Sequence, residues 1–295
     1  MTLPPATKPP EKDHDDGGKM KAPFWFGNSV SLITDGVLVN YHTKKRYDGH
    51  QSDNVIAVRI SDMSVYPWPA NTYSGHSFNQ SVIYSEHTYG LLFASQGDAY
   101  PRAIRINDSS GRYGDQKDVV FHFYLQPNAN YDMAIVNQTF AQLGGIAETS
   151  KGVALVGASA KSIGEAAKTE KQNLFVQLID PLAEEWTPSA FIGGTERSGA
   201  TSFDIYDNQN GPLTKVTDYG VIWLTDYMDK NAIAPQVVAA NDPIVILWGT
   251  DRFAPEPESF YMVLSAEGEV ITPAPPLDRV KLNSYERPVY HNGQV

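Results

Sequence analysis

Pro235–Pro273, PQVVAANDPIVILWGTDRFAPEPESFYMVLSAEGEVITP, reads as four short strands in succession. PQVVAA is the first, and Asn241-Asp242-Pro243 turns the chain. The apolar run IVILWG is the second, and a loop rich in proline and charge separates it from SFYMVLS. A turn at Ala266-Glu267-Gly268 then leads into EVITP, so SAEGEVI predicts a glycine-containing hairpin. Short β-branched and aromatic runs bounded by Gly, Pro, Asn and Asp mark an antiparallel all-β protein.

The other clear segments read as imperfect copies of this one. Between Ser29 and Pro69 the runs are SVSLITD, GVLVNYHT, NVIAVRIS and SVYPWP. From His76 they are HSFNQSVIYSE, GLLFASQ, RAIRIN and, at 119–125, VVFHFYL. A third set offers FAQLGGIAE, GVALVGAS and NLFVQLID, with its fourth strand either at Ala190–Gly193 or at Gly220–Thr225 beyond a polar insertion. After Pro273 the chain begins again with RPVYHNGQV. Ten residues separate Gln80 from Gly90, and ten again separate Gln142 from Gly152. Asn28 and Gln236 occupy the matching starts of the other two sets.

A repeat of roughly 40–60 residues suits a propeller blade of four strands. One four-stranded sheet cannot bury both its faces, whereas stacked sheets cover one another. The expectation is an all-β β-propeller of four-stranded antiparallel blades, about five in number. It is either incomplete or closed by an N-terminal strand from PFWFG at 23–27. A β-sandwich built from the same strands is the alternative. Over residues 24–295 the strand pattern loosely resembles the WD40/Kelch-like propeller superfamily, without the Gly-His…Trp-Asp signature or paired Kelch glycines in register. That resemblance implies a fold and carries no functional residues with it.

Residues 1–22, rich in Pro, Gly, Lys and Asp, read as a disordered tail or linker ahead of a single domain over 23–295. Asp13, His14, Asp15 and Asp16 within it read as a solvated charge run rather than a metal site. A net charge of −11 argues against nucleic acid, whose phosphates need a basic surface, and favours cations or cationic partners. No run reaches the ~18 apolar residues of a membrane span. The chain has no cysteine, so disulfides and thiolate metal sites are excluded. That absence points towards an extracellular or cell-surface protein, although the tail lacks the apolar run of a signal peptide.

In blades that run from the inner strand outward, two kinds of loop share one end. One joins the second strand to the third (44–53, 97–101, 161–172 and 250–259) and the other joins blade to blade (70–78, 127–138 and 226–234). Function concentrates on loops held by a rigid scaffold. The densest polar cluster combines His76 and Asn79 with Asp98, Tyr100 and Arg102 on one rim. There Arg102 is suited to grip a carboxylate or acidic sugar and Tyr100 to stack on a ring. The structural reading of the same residues has Asp98 capping the turn before Pro101, Arg102 paired with it, and His76 bonded to a buried carbonyl. Arg46, Tyr47, Asp48 and His50 form a further set with Asp251, Arg252 and Phe253 from the opposite blade, and Asp251 and Arg252 are expected to line the ligand-binding rim together with the first cluster. Tyr227, Trp68, Trp186 and Trp223 are candidate platforms for sugars, while Trp223 and Trp248 lie inside apolar strands and also read as core. Asn28, Gln80, Gln142 and Gln236 would place amides near a central channel, where they satisfy the backbone of crowded inner strands or hold a ligand.

No GxSxG, HExxH, P-loop or EF-hand pattern is present. The function expected is therefore a binding or interaction module for a glycan or other polar ligand, with a glycan or a protein as partner. No cofactor is expected, and a structural Ca²⁺ is an option. One alternative is a glycoside hydrolase or lyase using rim carboxylates such as Asp98 and Asp251. Another is a structural propeller domain of a larger protein.

Overall fold

The computed structural model describes residues 30–33, 36–44, 51–67, 79–87, 90–98, 103–108, 118–122, 141–161, 169–182, 205–207, 211–213, 220–250, 258–278, 280–282 and 287–295. The regular elements among them are all strands. The first sheet is β1 (Val30–Ile33), β2 (Gly36–Lys44), β3 (Gln51–Arg59) and β4 (Val65–Pro67), hydrogen-bonded in that order. The second repeats the plan with β5 (Asn79–Ser85), β6 (Gly90–Asp98), β7 (Ala103–Asp108) and β8 (Asp118–His122). The third begins with β9 (Gln142–Thr149), β10 (Gly152–Ser159) and β11 (Asn173–Ile179). A two-stranded hairpin of β12 (Ile205–Asp207) and β13 (Gly211–Leu213) interrupts it before β14 (Val221–Trp223) completes the sheet beside β11. The fourth comprises β15 (Ile233–Ala239), β16 (Ile244–Gly249), β17 (Ser259–Leu264) and β18 (Val270–Thr272).

Each four-stranded sheet is thus hydrogen-bonded in chain order, the third with the β12–β13 hairpin inserted before its last strand, and the strands pair antiparallel. The fourth strand of the third sheet falls within Gly220–Thr225; Ala190–Gly193 lies outside the described residues, as does 23–27. RPVYHNGQV requires a correction, because it forms no strand. His291 and Gln294 make an isolated bridge around Asn292 and Gly293, whose φ values of 49° and 80° turn the backbone out of the extended region.

The chain divides into two compact units, one of Met1–Ala99 with Arg105–Asp118 and the other of Tyr100–Ile104 with Val119–Val295. In the first, β5 packs against β1 and β2, and its adjacent residues Ser81 and Val82 are both buried, so that strand is covered on both faces.

In the second unit two sheets meet face to face. Ala154, Val156 and Ala158 of β10 lie directly opposite Leu178, Val176 and Leu174 of β11 on one side of the third sheet. They pack against Ile244, Ile246 and Trp248 of β16 and Phe260, Met262 and Leu264 of β17. Trp248 and Phe260 stack at 5.7 Å between ring centroids, so Trp248 belongs to the core as its apolar strand predicts. Each fully buried Val, Leu, Ile, Phe or Met of this core contributes about 1.5–3 kcal/mol through burial.

The remaining face of the third sheet is buried too, with Leu155, Ser159, Asn173, Phe175 and Gln177 all inaccessible. Gly157 makes room there. A Cβ at this position would lie 2.5 Å from Cζ of Phe175 and 2.8 Å from the carbonyl oxygen of Gln142.

The first strands of these two sheets, β9 and β15, lie side by side, and both are irregular. The β9–β10 register shifts between Val156 and Gly157, leaving Gly144 unopposed. The guanidinium of Arg287 donates to the Gly144 carbonyl. In β15 the register shifts between Ile233 and Gln236, and Ala234 donates its N–H to Oε1 of Gln142 at 3.0 Å. The half-buried Gln142 therefore plays the backbone-satisfying part that the amide spacing predicts, and Gln236 is buried.

Candidate functional site

Two sets of turns close the second unit's sheets, at opposite ends. At one end Ser150 donates its N–H to Oδ1 of Asp242 at 2.8 Å, and Lys151 pairs with Glu267. The Ser265–Glu269 hairpin lies here as well, tightened by hydrogen bonds from Gly268 N to Ser265 O and from Ser265 N to Glu269 O. Gly268 sits at φ +85°, where a side chain is strained, and a Cβ would also lie 3.0 Å from Leu178.

The other end gathers the segments after β10, after β14 and before β17. Leu174 donates its N–H to Oγ1 of buried Thr225, and Leu224 donates to the Leu174 carbonyl. Gln172 and Ala232 continue the union, the N–H of Gln172 reaching Oδ1 of Asn231 at 2.9 Å and that of Ala232 reaching the Gln172 carbonyl at 2.8 Å. Lys161 pairs with Asp226 at 2.9 Å and also lies 5.5 Å from the centre of the Trp223 ring. Lys230 pairs with Glu258 and lies over the Phe260 ring at 5.4 Å. Lys171 donates to the carbonyls of both Asp226 and Met228, and Met228 donates its N–H back to Thr225 O at 3.0 Å. The described residues Lys161, Lys171, Gln172, Asp226, Met228, Lys230, Asn231 and Glu258 thus lie at one end of this unit.

The chemistry of this end follows from those contacts. Hydrogen bonding from Lys161 outweighs partial burial and holds the Asp226 carboxyl below the ordinary aspartate range. Asp62 and Asp242 are likewise lowered, each chiefly by a serine hydrogen bond, Ser64 for Asp62 and Ser150 for Asp242. Lowered carboxyls are acceptors at neutral pH. General acid catalysis on a glycoside needs the reverse shift. The Trp223 indole N–H and the amide oxygens of Gln172 and Asn173 are buried without protein hydrogen-bond partners, one donor and two acceptors near this end. Tyr227, at the centre of the turn, is 66% exposed.

Of the residues singled out in the sequence, Asn79 opens β5 opposite Gln96, and Asp98 closes β6 two residues further on. These two therefore stand at the same end of the second sheet. His76, Tyr100, Arg102, Asp251 and Arg252 lie outside the described residues, as do Arg46, Tyr47, Asp48, His50, Phe253, Trp68 and Trp186. Among the described residues no group of three His, Cys, Asp or Glu is gathered to hold a metal ion, and no helix is long and apolar enough to cross a membrane. Sequence reasoning missed Lys161, Asp226, Lys230 and Glu258 individually, although it marked their loops.

Fold and site together define an all-β protein of antiparallel four-stranded sheets with loops brought together at one end. No family model and no curated protein matches the chain. A solved structure is similar at a TM-score of 0.35 and 13% identity, over 86% of this chain and 70% of that one. It is titled "The GH130 family of mannoside phosphorylases contains glycoside hydrolases that target beta-1,2 mannosidic linkages in Candida mannan". A likeness at that score carries no argument about this chain.

Proposed function

We propose that this protein is a non-catalytic module that binds a glycan or another polar ligand at the end of its sheets where the loops gather. The observation that carries the reading is the composition of that end in the second unit. An exposed tyrosine stands among half-exposed ion pairs, beside an aspartate held ionised rather than poised as an acid. Such a surface offers stacking area together with donors and acceptors, the combination that fixes the orientation of a hydroxyl-bearing ligand. In the same reading His76, Asn79, Asp98, Tyr100, Arg102, Asp251 and Arg252 line the corresponding loops, and the four-stranded sheets are blades of a β-propeller. Support for the blades comes from their consecutive strand order and from the face-to-face packing of the third and fourth sheets. The protein works outside the cell or at its surface, with Ca²⁺ as an optional structural ion.

A glycan array probed with the 295-residue chain and with its Asp98→Ala/Arg102→Ala double variant tests the reading. Saturable glycan binding that the double variant loses at unchanged melting temperature is expected. Binding lost together with a large fall in melting temperature would make that pair structural, and an array that stays dark would remove the glycan reading.

A further inference from the structure

Among the described residues, Tyr227 is the aromatic one of the exposed large apolar side chains, and its backbone is held on both sides. The preceding residue, Asp226, is paired with Lys161, and the following one, Met228, packs its side chain against the core shared by the third and fourth sheets. The ammonium of Lys171 binds the carbonyl on each side of the tyrosine, and the Met228 N–H closes the turn onto Thr225. Thr225 is itself buried and tied to β11. The turn is therefore ordered by the fold before any ligand arrives, while the ring it carries stays 66% exposed. Ordering a side chain or loop on binding ordinarily opposes affinity, and a turn fixed in advance avoids that cost.

We infer that Tyr227 is a preorganised stacking platform for a neutral sugar ring, a subsite of the ligand-binding end proposed above and dependent on that reading. Neutrality follows from the charges around it. Among the described residues of this end, Lys161, Lys171 and Lys230 stand against Glu170, Asp226, Asp229 and Glu258, a near balance in a chain whose net charge is −11. The Lys161–Asp226 and Lys230–Glu258 pairs are each neutral and half-exposed, presenting donors beside acceptors. That pattern matches hydroxyl groups, which both donate and accept, better than a phosphate or uronate that needs unopposed cations. The exposed neighbours Asp226, Asp229, Lys230 and Asn231 are all polar, so the ring is not the centre of the apolar patch that a protein interface buries.

The test uses an array of neutral oligosaccharides (glucans, mannans, xylans and galactans) and uronate-containing ones, probed with the 295-residue chain, Tyr227→Phe and Tyr227→Ala. The chain is expected to bind at least one neutral sugar. Tyr227→Ala should weaken that binding by about tenfold or more, Tyr227→Phe should change it little, and both should keep the parent melting temperature. Neutral-sugar binding indifferent to Tyr227→Ala overturns the subsite and leaves the binding module standing. Binding confined to uronates overturns the neutral class, and failure to bind any glycan overturns both readings.

Discussion

Gly157 is the residue whose side chain, or lack of one, decides how the third sheet closes. It lies opposite Phe175 in the β10–β11 ladder, and the aromatic ring occupies the space that a Cβ would take. Because the second obstruction is the backbone oxygen of Gln142, the neighbours cannot move aside cheaply. Gly157→Ala should therefore destabilise the chain by about 1–3 kcal/mol through overpacking, read as a lower urea midpoint with unchanged slope. An unchanged midpoint would mean that the Phe175 ring does not rest on this glycine. The sequence offered a strand at GVALVGAS but no sign of this contact, since nothing in a strand pattern tells which glycine faces an aromatic ring.

At the scale of elements, the strands and their turns were legible because the signals for them are local. Asn241-Asp242-Pro243 closes with Ala240 donating to the Pro243 carbonyl, and Gly268 occupies the position of positive φ in the hairpin. What joins one sheet to the next was legible only through periodicity, and then for one residue. Gln142 recurs in step with Gln80, and it bonds Ala234 of the neighbouring strand. Gln142→Leu should cost about 1–2 kcal/mol by leaving that N–H unpaired, and Gln142→Glu, which keeps an acceptor, should cost less. Equal losses for both would show that packing rather than the hydrogen bond matters there. The pairings that build the candidate site escaped the sequence for a physical reason. Lys161 and Asp226 are 65 residues apart, and Lys230 and Glu258 are 28 apart, so the folded sheets alone bring them together. Arg287 reaches Gly144 across 143 residues, and loss of solvent lowers its pKa to about 10, whereas the local pattern of RPVYHNGQV predicts only a strand.

At the scale of the whole molecule, repetition made the sheet plan legible and left the chemistry open. Four sheets of one plan supply similar ends many times over, and side chains on particular loops distinguish one end from another. On the proposed function, the end carrying Tyr227 and its ion pairs holds a neutral oligosaccharide without cleaving it. The most direct measurement is titration calorimetry of the 295-residue chain with a neutral oligosaccharide identified on the array, followed by recovery and analysis of the sugar after prolonged incubation. Saturable binding, weakened in Tyr227→Ala, and an oligosaccharide recovered at its original length are expected. Absence of binding heat, or the appearance of new reducing ends that a denatured sample does not produce, would contradict that function.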